Sequence, residues 1–494
     1  MKYDVAIIGA GLGGLQCAYI LTRHGMNVCI IEKERTLGGC LQMFHRHGAA
    51  FDTGFHYVGG MDDGEPLNRL FRYFDLVDTL DWVQLDTHRF DLIDIGGLLF
   101  PFASGFDDFA TTLLQYFPKE RTSINRYKQL LESVNRNIFS AFDPDSESSA
   151  NTQKLFAQSA YQYVNNTFHD SLLRQVVAGT SLKMELTPRL PLYTFAQINS
   201  SYIQSAWRLR GGGQQIADHL GASITRMGGT VITGSAVTAL IEDDSCITTL
   251  SLADGNTISA RYFISDIHPA ATMTLLDKSH LVRSIYRKRL SSLPNTYGMF
   301  TVNCRLRPGS VVYRNYNIFN YTTDRLWHLY QREPHDPVQA VMISFPPPSA
   351  PDSPFTDCVD ILTPISFDEV APWQDSTPLH RCEQYDDFKA HIERQCIDIA
   401  CRILPDLKGN IEQTYSSSPL TYQHYTATAC GSAYGIRKDC NNLMRTLLSP
   451  RTPIQNLFLT GQNLNLHGIL GTTMTSFITA SQIIGPINPF LSKK

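Results

Sequence analysis

The chain of 494 residues is too long for one compact core and suits roughly two or three domains at the usual ~100–200 residues each. With 43% hydrophobic and 18% charged residues it reads as folded and not as disordered, and a net charge of -4 excludes the strongly basic footprint of a nucleic-acid binder. Eleven cysteines, none spaced as CxxC, exclude a zinc ribbon and fit reduced thiols better than a disulfide framework.

Residues 3–8 (YDVAII) form a short apolar run of buried-strand type. No room is expected ahead of it for a signal peptide, and no run of 18 apolar residues predicts a membrane-spanning helix. The expected location is therefore cytoplasmic, with peripheral contact at a bilayer left open. The run leads into Gly9-Ala10-Gly11-Leu12-Gly13-Gly14, a GxGxxG at Gly9, Gly11 and Gly14. Leu12, Leu15, Ala18, Tyr19 and Thr22 then share one helical face, closed by Gly25, and a second strand, Val28-Cys29-Ile30-Ile31, ends at Glu32.

Each residue type has a physical task. Gly9 permits the strand-to-helix turn, Gly11 lets the backbone approach a diphosphate, and Gly14 lets the helix pack on the strands, with its N-terminus facing the phosphate charge. Glu32, 23 positions after Gly9, is placed to accept ribose hydroxyls and would repel a 2′-phosphate. Leu37-Gly38-Gly39 and Phe51-Asp52-Thr53-Gly54 follow. His45 and His47 read as a solvated strand face, and no metal site is expected.

Residues 70–205 are rich in Phe and Tyr at helical spacing, with a polar stretch at 143–151 predicted as an exposed loop. Arg210-Gly211-Gly212-Gly213 precedes a predicted helix over 215–227, then a strand at 230–233, a strand at 236–240, and a hairpin turn at Ala253-Asp254-Gly255 before Phe263-Ile264-Ser265-Asp266. Residues 291–415 mix strand-like runs with proline-rich turns such as Pro346-Pro347-Pro348. A final buried strand, 456–461, ends in Gly461-Gln462, followed by His467-Gly468, Gly471 and a helical stretch over 472–484.

This ordered series resembles the FAD-binding signature of the amine oxidase and phytoene desaturase superfamily. The segment from Phe51 to Gly59, Trp373, Tyr385 and Lys389 in a helix before Ile403-Leu404-Pro405, Ser418-Pro419-Leu420-Thr421 and Gly431-Ser432-Ala433-Tyr434-Gly435 are similar to its retinol saturase and carotenoid isomerase branch. Gly461-Gln462, where many relatives carry Gly-Asp, fits the same branch, and the resemblance covers nearly the whole chain. It implies an α/β fold: a Rossmann-like FAD-binding domain, discontinuous in sequence (1–70, 205–290 and 416–494), with an inserted α+β substrate-binding domain (71–204 and 291–415).

The same resemblance implies FAD, held by Gly9, Gly11, Gly13, Gly14, Glu32, Lys33, Gly38, Gly39, Asp52, Gly54, Gly461, Gln462, Gly471 and Thr472, with the backbone of Val237 beside the adenine. No second GxGxxG stands at a strand-to-helix turn, so electrons would come from transient contact with NAD(P)H or from another protein. The implied chemistry is redox at conjugated double bonds of an apolar polyene or isoprenoid, foremost as a reductase. A desaturase, a redox-neutral cis-trans isomerase, a flavin amine oxidase and a lipid-binding protein that keeps FAD for structure are the alternatives. His56, Tyr434 and His467 are the candidate proton donors, because the resemblance places their segments near the flavin; a structural imidazole or aromatic wall is the competing reading for each. Neither a nucleic-acid partner nor an oligomeric state is implied.

Overall fold

Strand Lys2–Ile8 runs parallel to Val28–Ile31 on one side and to Thr257–Ser265 on the other. It is apolar throughout its centre because helices cover both faces of a parallel sheet. Thr230–Ile232 extends the sheet beyond Val28–Ile31, Leu457–Leu459 pairs parallel with the end of Thr257–Ser265, and Val237–Glu242 and Ile247–Leu252 return antiparallel to complete seven strands. Their registers bring Ile8, Ile31, Ile232, Ser265 and Leu459 to one level. The loops that leave those five ends therefore converge on one rim, the usual ligand-binding edge of a doubly wound sheet. The computed structural model describes residues 2–142, 147–277, 279–334, 336–378 and 380–487.

Helix Leu12–Arg23 departs from expectation in one respect: every residue from Leu12 to Thr22 is buried, not one face alone. Helices Gln214–Arg226 and Gly468–Ile484 pack against it on the sides the sheet does not cover. Polar links across the last of these replace apolar packing where the helices meet closely: Gln16 Nε2 donates to Thr473 Oγ1 (2.9 Å), and the Ser476 hydroxyl donates to the Gly13 carbonyl (3.3 Å).

A second sheet of seven strands has the order Ile411–Ser417, Gly298–Leu306, Cys358–Ile365, Ala340–Ser344, Asn317–Tyr321, Asp91–Ile95 and Leu98–Phe102. Ile93, Phe319, Met342 and Leu362 on one face join a core with Phe109, Tyr127, Phe195 and Trp327 from the helical layer. Val302, Val341 and Ile361 on the other pack against Ile392, Cys396 and Ile399 of helix Glu383–Ile403. With both faces covered, Cys358–Ile365 is buried along its whole length.

Two local expectations need correction. The polar stretch predicted as a loop over 143–151 lies partly outside the described residues, at 143–146, and its remainder enters helix Glu147–Phe156, because Phe156 anchors the turn against Tyr193, ring centroids 4.5 Å apart. Trp373 lies not in the helix with Tyr385 and Lys389 but in a preceding single turn, Ala371–Trp373, its ring edge-on to Tyr385 at 5.5 Å.

Candidate active site

The glycine series forms a cradle at the rim. Gly9 takes φ +91°, and a Cβ on Gly14 would overlap the Gly9 carbonyl oxygen, so the helix starts as close to the strand as backbone allows. The Gly38-Gly39 loop folds over this turn: the Gly38 N–H donates to the Ala10 carbonyl (2.8 Å), and a Cβ on Gly39 would lie 3.5 Å from Gly11 Cα. Glu32 is buried beneath, accepting the N–H groups of Ala10 (2.8 Å) and Glu34 (2.9 Å). The Ser235 N–H donates to the Glu32 carbonyl (3.0 Å), which brings the start of strand Val237–Glu242 to the same side. Lys33 turns away, donating to the His424 carbonyl (2.7 Å) and pairing with Glu34.

The far end of the chain closes the cradle. A Cβ on Gly13 would stand 3.0 Å from Gly461 Cα. Gly471 and Thr472 lie in the first turns of helix Gly468–Ile484, which has no side-chain cap and so leaves backbone N–H groups free at its start. Gln462 sits beside Gly435, where a Cβ would approach its Cγ at 3.6 Å. These are the features that an anionic dinucleotide needs: glycine-lined backbone, two helix N-termini whose own N-cap residues supply no side-chain acceptor, and one carboxylate for ribose.

Asp52 and Gly54 shape the next layer. Asp52 Oδ1 accepts the Gly213 N–H (2.8 Å), tying hairpin strand Ala49–Asp52 to the glycine run before Gln214–Arg226, and a Cβ on Gly54 would meet the Cys40 carbonyl oxygen at 3.2 Å. Burial, with Asp360 adding, pushes the Asp52 carboxyl up to about 8. His45 lies exposed on strand Met43–Arg46, and His47 Nδ1 is 2.6 Å from the Tyr415 hydroxyl.

Of the three expected catalytic residues, Tyr434 and His467 come together, and His56 lies apart from them beside Asp360, all three buried or nearly so. His467 precedes the chain's last described helix, donates through Nε2 to the Lys183 carbonyl (3.1 Å), and lies 4.7 Å from the Tyr434 ring. The Tyr434 hydroxyl donates to the Leu182 carbonyl (2.6 Å). Lys183 in turn pairs with Asp91 at 2.5 Å, and Asp91 accepts the Tyr57 hydroxyl (3.0 Å), the residue next to His56. His56 Nδ1 is 4.0 Å from Asp360 Oδ2, whose other oxygen accepts from Asn303 Nδ2 (2.7 Å). Burial drives both histidines down to about 4, so both rings are neutral at pH 7; the Arg208 guanidinium adds to this at His56. Burial pushes Asp360 the other way, up to about 7.

Lys183, Asp91, Asp360 and Arg208 escaped the reading of the sequence. Their partners lie far away along the chain, and no local spacing marks them. Asp266 was in view as the end of a strand, yet nothing in its neighbours marked a role. Two surface clefts of about 420 Å³ and 370 Å³ contain none of the site residues.

An NAD(P)-binding Rossmann-like domain family matches residues 7–74, the span of the glycine turn, Glu32 and the Gly38-Gly39 loop. The all-trans-retinol 13,14-reductase of Rattus norvegicus is 27% identical, over 98% of this chain and 86% of its own length. A prolycopene isomerase from an Oncidium hybrid cultivar is 34% identical over 128 residues, 26% of this chain and 22% of its own. By sequence, the chain is similar to retinol 13,14-reductases over nearly its whole length and to a prolycopene isomerase over a shorter stretch. The fold agrees: the solved structure of putrescine oxidase with putrescine bound superposes with a TM-score of 0.64, covering 98% of this chain and 99% of that one at 17% identity. Among the described residues no helix is long and apolar enough to cross a membrane.

Proposed function

We propose that this chain is a FAD-dependent oxidoreductase that reduces conjugated C=C bonds of an apolar polyene or isoprenoid. The observation that carries the reading is the likeness to a retinol 13,14-reductase over 98% of the chain. The glycine cradle and the cluster of tyrosine rings around Lys183 and His467 support it. Gly9, Gly11, Gly14, Gly38, Gly39 and Gly461 would hold the diphosphate, Glu32 the ribose, and the start of helix Gly468–Ile484 the flavin ring. When bound, FAD supplies the hydride that the alkene accepts.

The chain's own residues do the rest. Tyr57, Tyr202, Tyr297 and Tyr434 stand around Lys183 and His467, and their rings exclude water from a flat apolar substrate. Tyr434 and His467 spend their hydrogen bonds on the carbonyls of Leu182 and Lys183, which makes them positioning walls. His56 is the group that can move a proton, because the Asp360 carboxyl beside its Nδ1 holds one near neutrality. Electrons reach the site from transiently bound NAD(P)H or from a protein donor. An apolar substrate also brings the chain to a lipid surface; failure to bind liposomes loaded with polyene would remove that part.

The isomerase alternative has one specific support, the prolycopene isomerase segment at 34% identity. Anaerobic reduction of the flavin followed by all-trans-retinol or a carotenoid separates the two. Reoxidation of the flavin with loss of polyene absorbance is the expected result. A changed retention time with no double bond lost would establish the isomerase, and neither effect with any polyene would overturn both.

A further inference from the structure

Asp266 is the first residue beyond strand Thr257–Ser265, and it puts a carboxyl group where the cradle should welcome an anion. Its N–H donates to the Ile8 carbonyl (2.9 Å), which sets it beside the glycine turn. Its carboxyl lies close to the backbone N–H groups of Gly11 and Gly14. A Cβ on Gly11 would lie 2.7 Å from Oδ2, one on Gly461 2.6 Å from Oδ1, and one on Gly13 would overlap Oδ1. The carboxyl is thus pressed against glycines from both ends of the chain. Gly11 offers helix Leu12–Arg23 no side-chain cap, and Asp266 supplies from another strand the acceptor that a capping residue would.

A diphosphate brings two negative charges to this same helix start. A carboxylate there would repel it in a space with little water to screen the charges. The neighbours offer no relief. Glu32 adds negative charge from the strand beside it. Cys17, from the helix, and Cys40, from the Gly38-Gly39 loop, face it as neutral thiols, both pushed above the usual thiol range. His268, two residues on, is neutral as well: burial lowers it, its Nδ1 accepts the Ala270 N–H, and Nε2 is 2.9 Å from Asn295. Thr460 and Gln462 on the closing loop carry no charge.

We propose that the Asp266 carboxylate takes up a proton from solvent when the FAD diphosphate enters the cradle, so that cofactor binding is proton-linked. The inference rests on the FAD reading above. One O–H bond forms on Asp266 and nothing else changes. The protonated group still accepts a glycine N–H through its carbonyl oxygen and gains an O–H to donate toward the anion. Burial, with Glu32 adding, holds the free carboxyl at about 7 against the two nearby N–H groups. Above that pH the proton must be acquired on binding, and below it the group is already loaded.

Calorimetric titration of FAD into the deflavinated full-length chain at about pH 8 tests this, in phosphate and in Tris, whose ionisation heats differ. The expected result is a binding heat that changes with buffer by an uptake approaching one proton. The Kd for FAD should weaken toward about tenfold per pH unit above about pH 7. D266N, which keeps an oxygen acceptor for the glycines, should abolish the buffer dependence and bind FAD more tightly than the parent at high pH. FAD binding with equal heats in both buffers would overturn the inference and leave the cofactor reading standing, as would uptake that persists in D266N. No FAD binding at any pH would overturn both. The buffer comparison uses the unaltered chain, so it decides even if D266N fails to fold.

Discussion

The Lys183 ammonium stands 2.5 Å from the Asp91 carboxylate, and both side chains are buried. Asp91 also accepts from Tyr57 and from Asn317 (2.9 Å), and the ammonium lies 4.4 Å from the Tyr202 ring centre. Burial lowers the lysine and the carboxylate opposes that fall. The pair therefore fixes the floor on which Tyr57, His467 and Tyr434 are set.

Breaking that pair on one side should be costly. K183M leaves a buried carboxylate without its cation, at an expected loss of about 3–5 kcal/mol. Thermal unfolding checks it, and the double variant K183M/D91N should recover much of the loss. A K183M protein as stable as the parent would show that the pair holds nothing up.

Asp52 should make stability fall with rising pH. Its carboxyl is held at about 8 in the fold against an ordinary 3.8, so its contribution is fully present below about pH 4 and is lost as pH rises through about 8. D52N keeps an oxygen for the Gly213 N–H and has nothing to ionise. Urea unfolding should show the parent weakening relative to D52N from about pH 5 to 8, by on the order of 3 kcal/mol. Parallel pH profiles would reject this.

His56 should matter to turnover and not to cofactor retention. H56Q is expected to slow polyene reduction by ~10²–10⁴-fold while the flavin binds and is reduced by dithionite as before. Because Asp360 holds its proton up to about 7, the rate should decline as pH rises through that value, and D360N should flatten the decline. A full-rate H56Q enzyme would return the proton transfer to Tyr434, His467 or water.

Gly14 should tolerate no side chain. G14A drives a methyl into the Gly9 carbonyl oxygen, a backbone atom that cannot step aside. The expected cost is at least ~1–3 kcal/mol, with a lower flavin-to-protein absorbance ratio after purification. An unchanged ratio and melting temperature would mean the helix can shift away from the strand.

What could be read in advance divides by distance along the chain. The turn at Gly9, the helix after it and Glu32 were legible because strand, glycines and carboxylate lie within one short unit whose spacing is itself the signal. Gly461 was legible for the same reason. The all-round burial of Leu12–Arg23 was not, since it depends on helices from 214 and 468 onward. Nor were Asp360 beside His56, or Lys183 against Asp91: each is an ordinary charged residue until the second sheet brings its partner across. The polar composition near 150 favoured a loop, and one aromatic contact between Phe156 and Tyr193 tipped it to a helix.

The meeting of Gly13 with Gly461 has a consequence for biosynthesis. A nascent chain can pair Lys2–Ile8 with Val28–Ile31 almost at once, but the strand's other edge stays open until Thr257–Ser265 emerges, and the last wall waits for Leu457–Leu459. Through most of translation an apolar strand edge is exposed to wrong partners, the situation in which chains aggregate or engage chaperones. Closure of the cradle is then a late event, complete only once Leu457–Leu459 has emerged to pair with Thr257–Ser265.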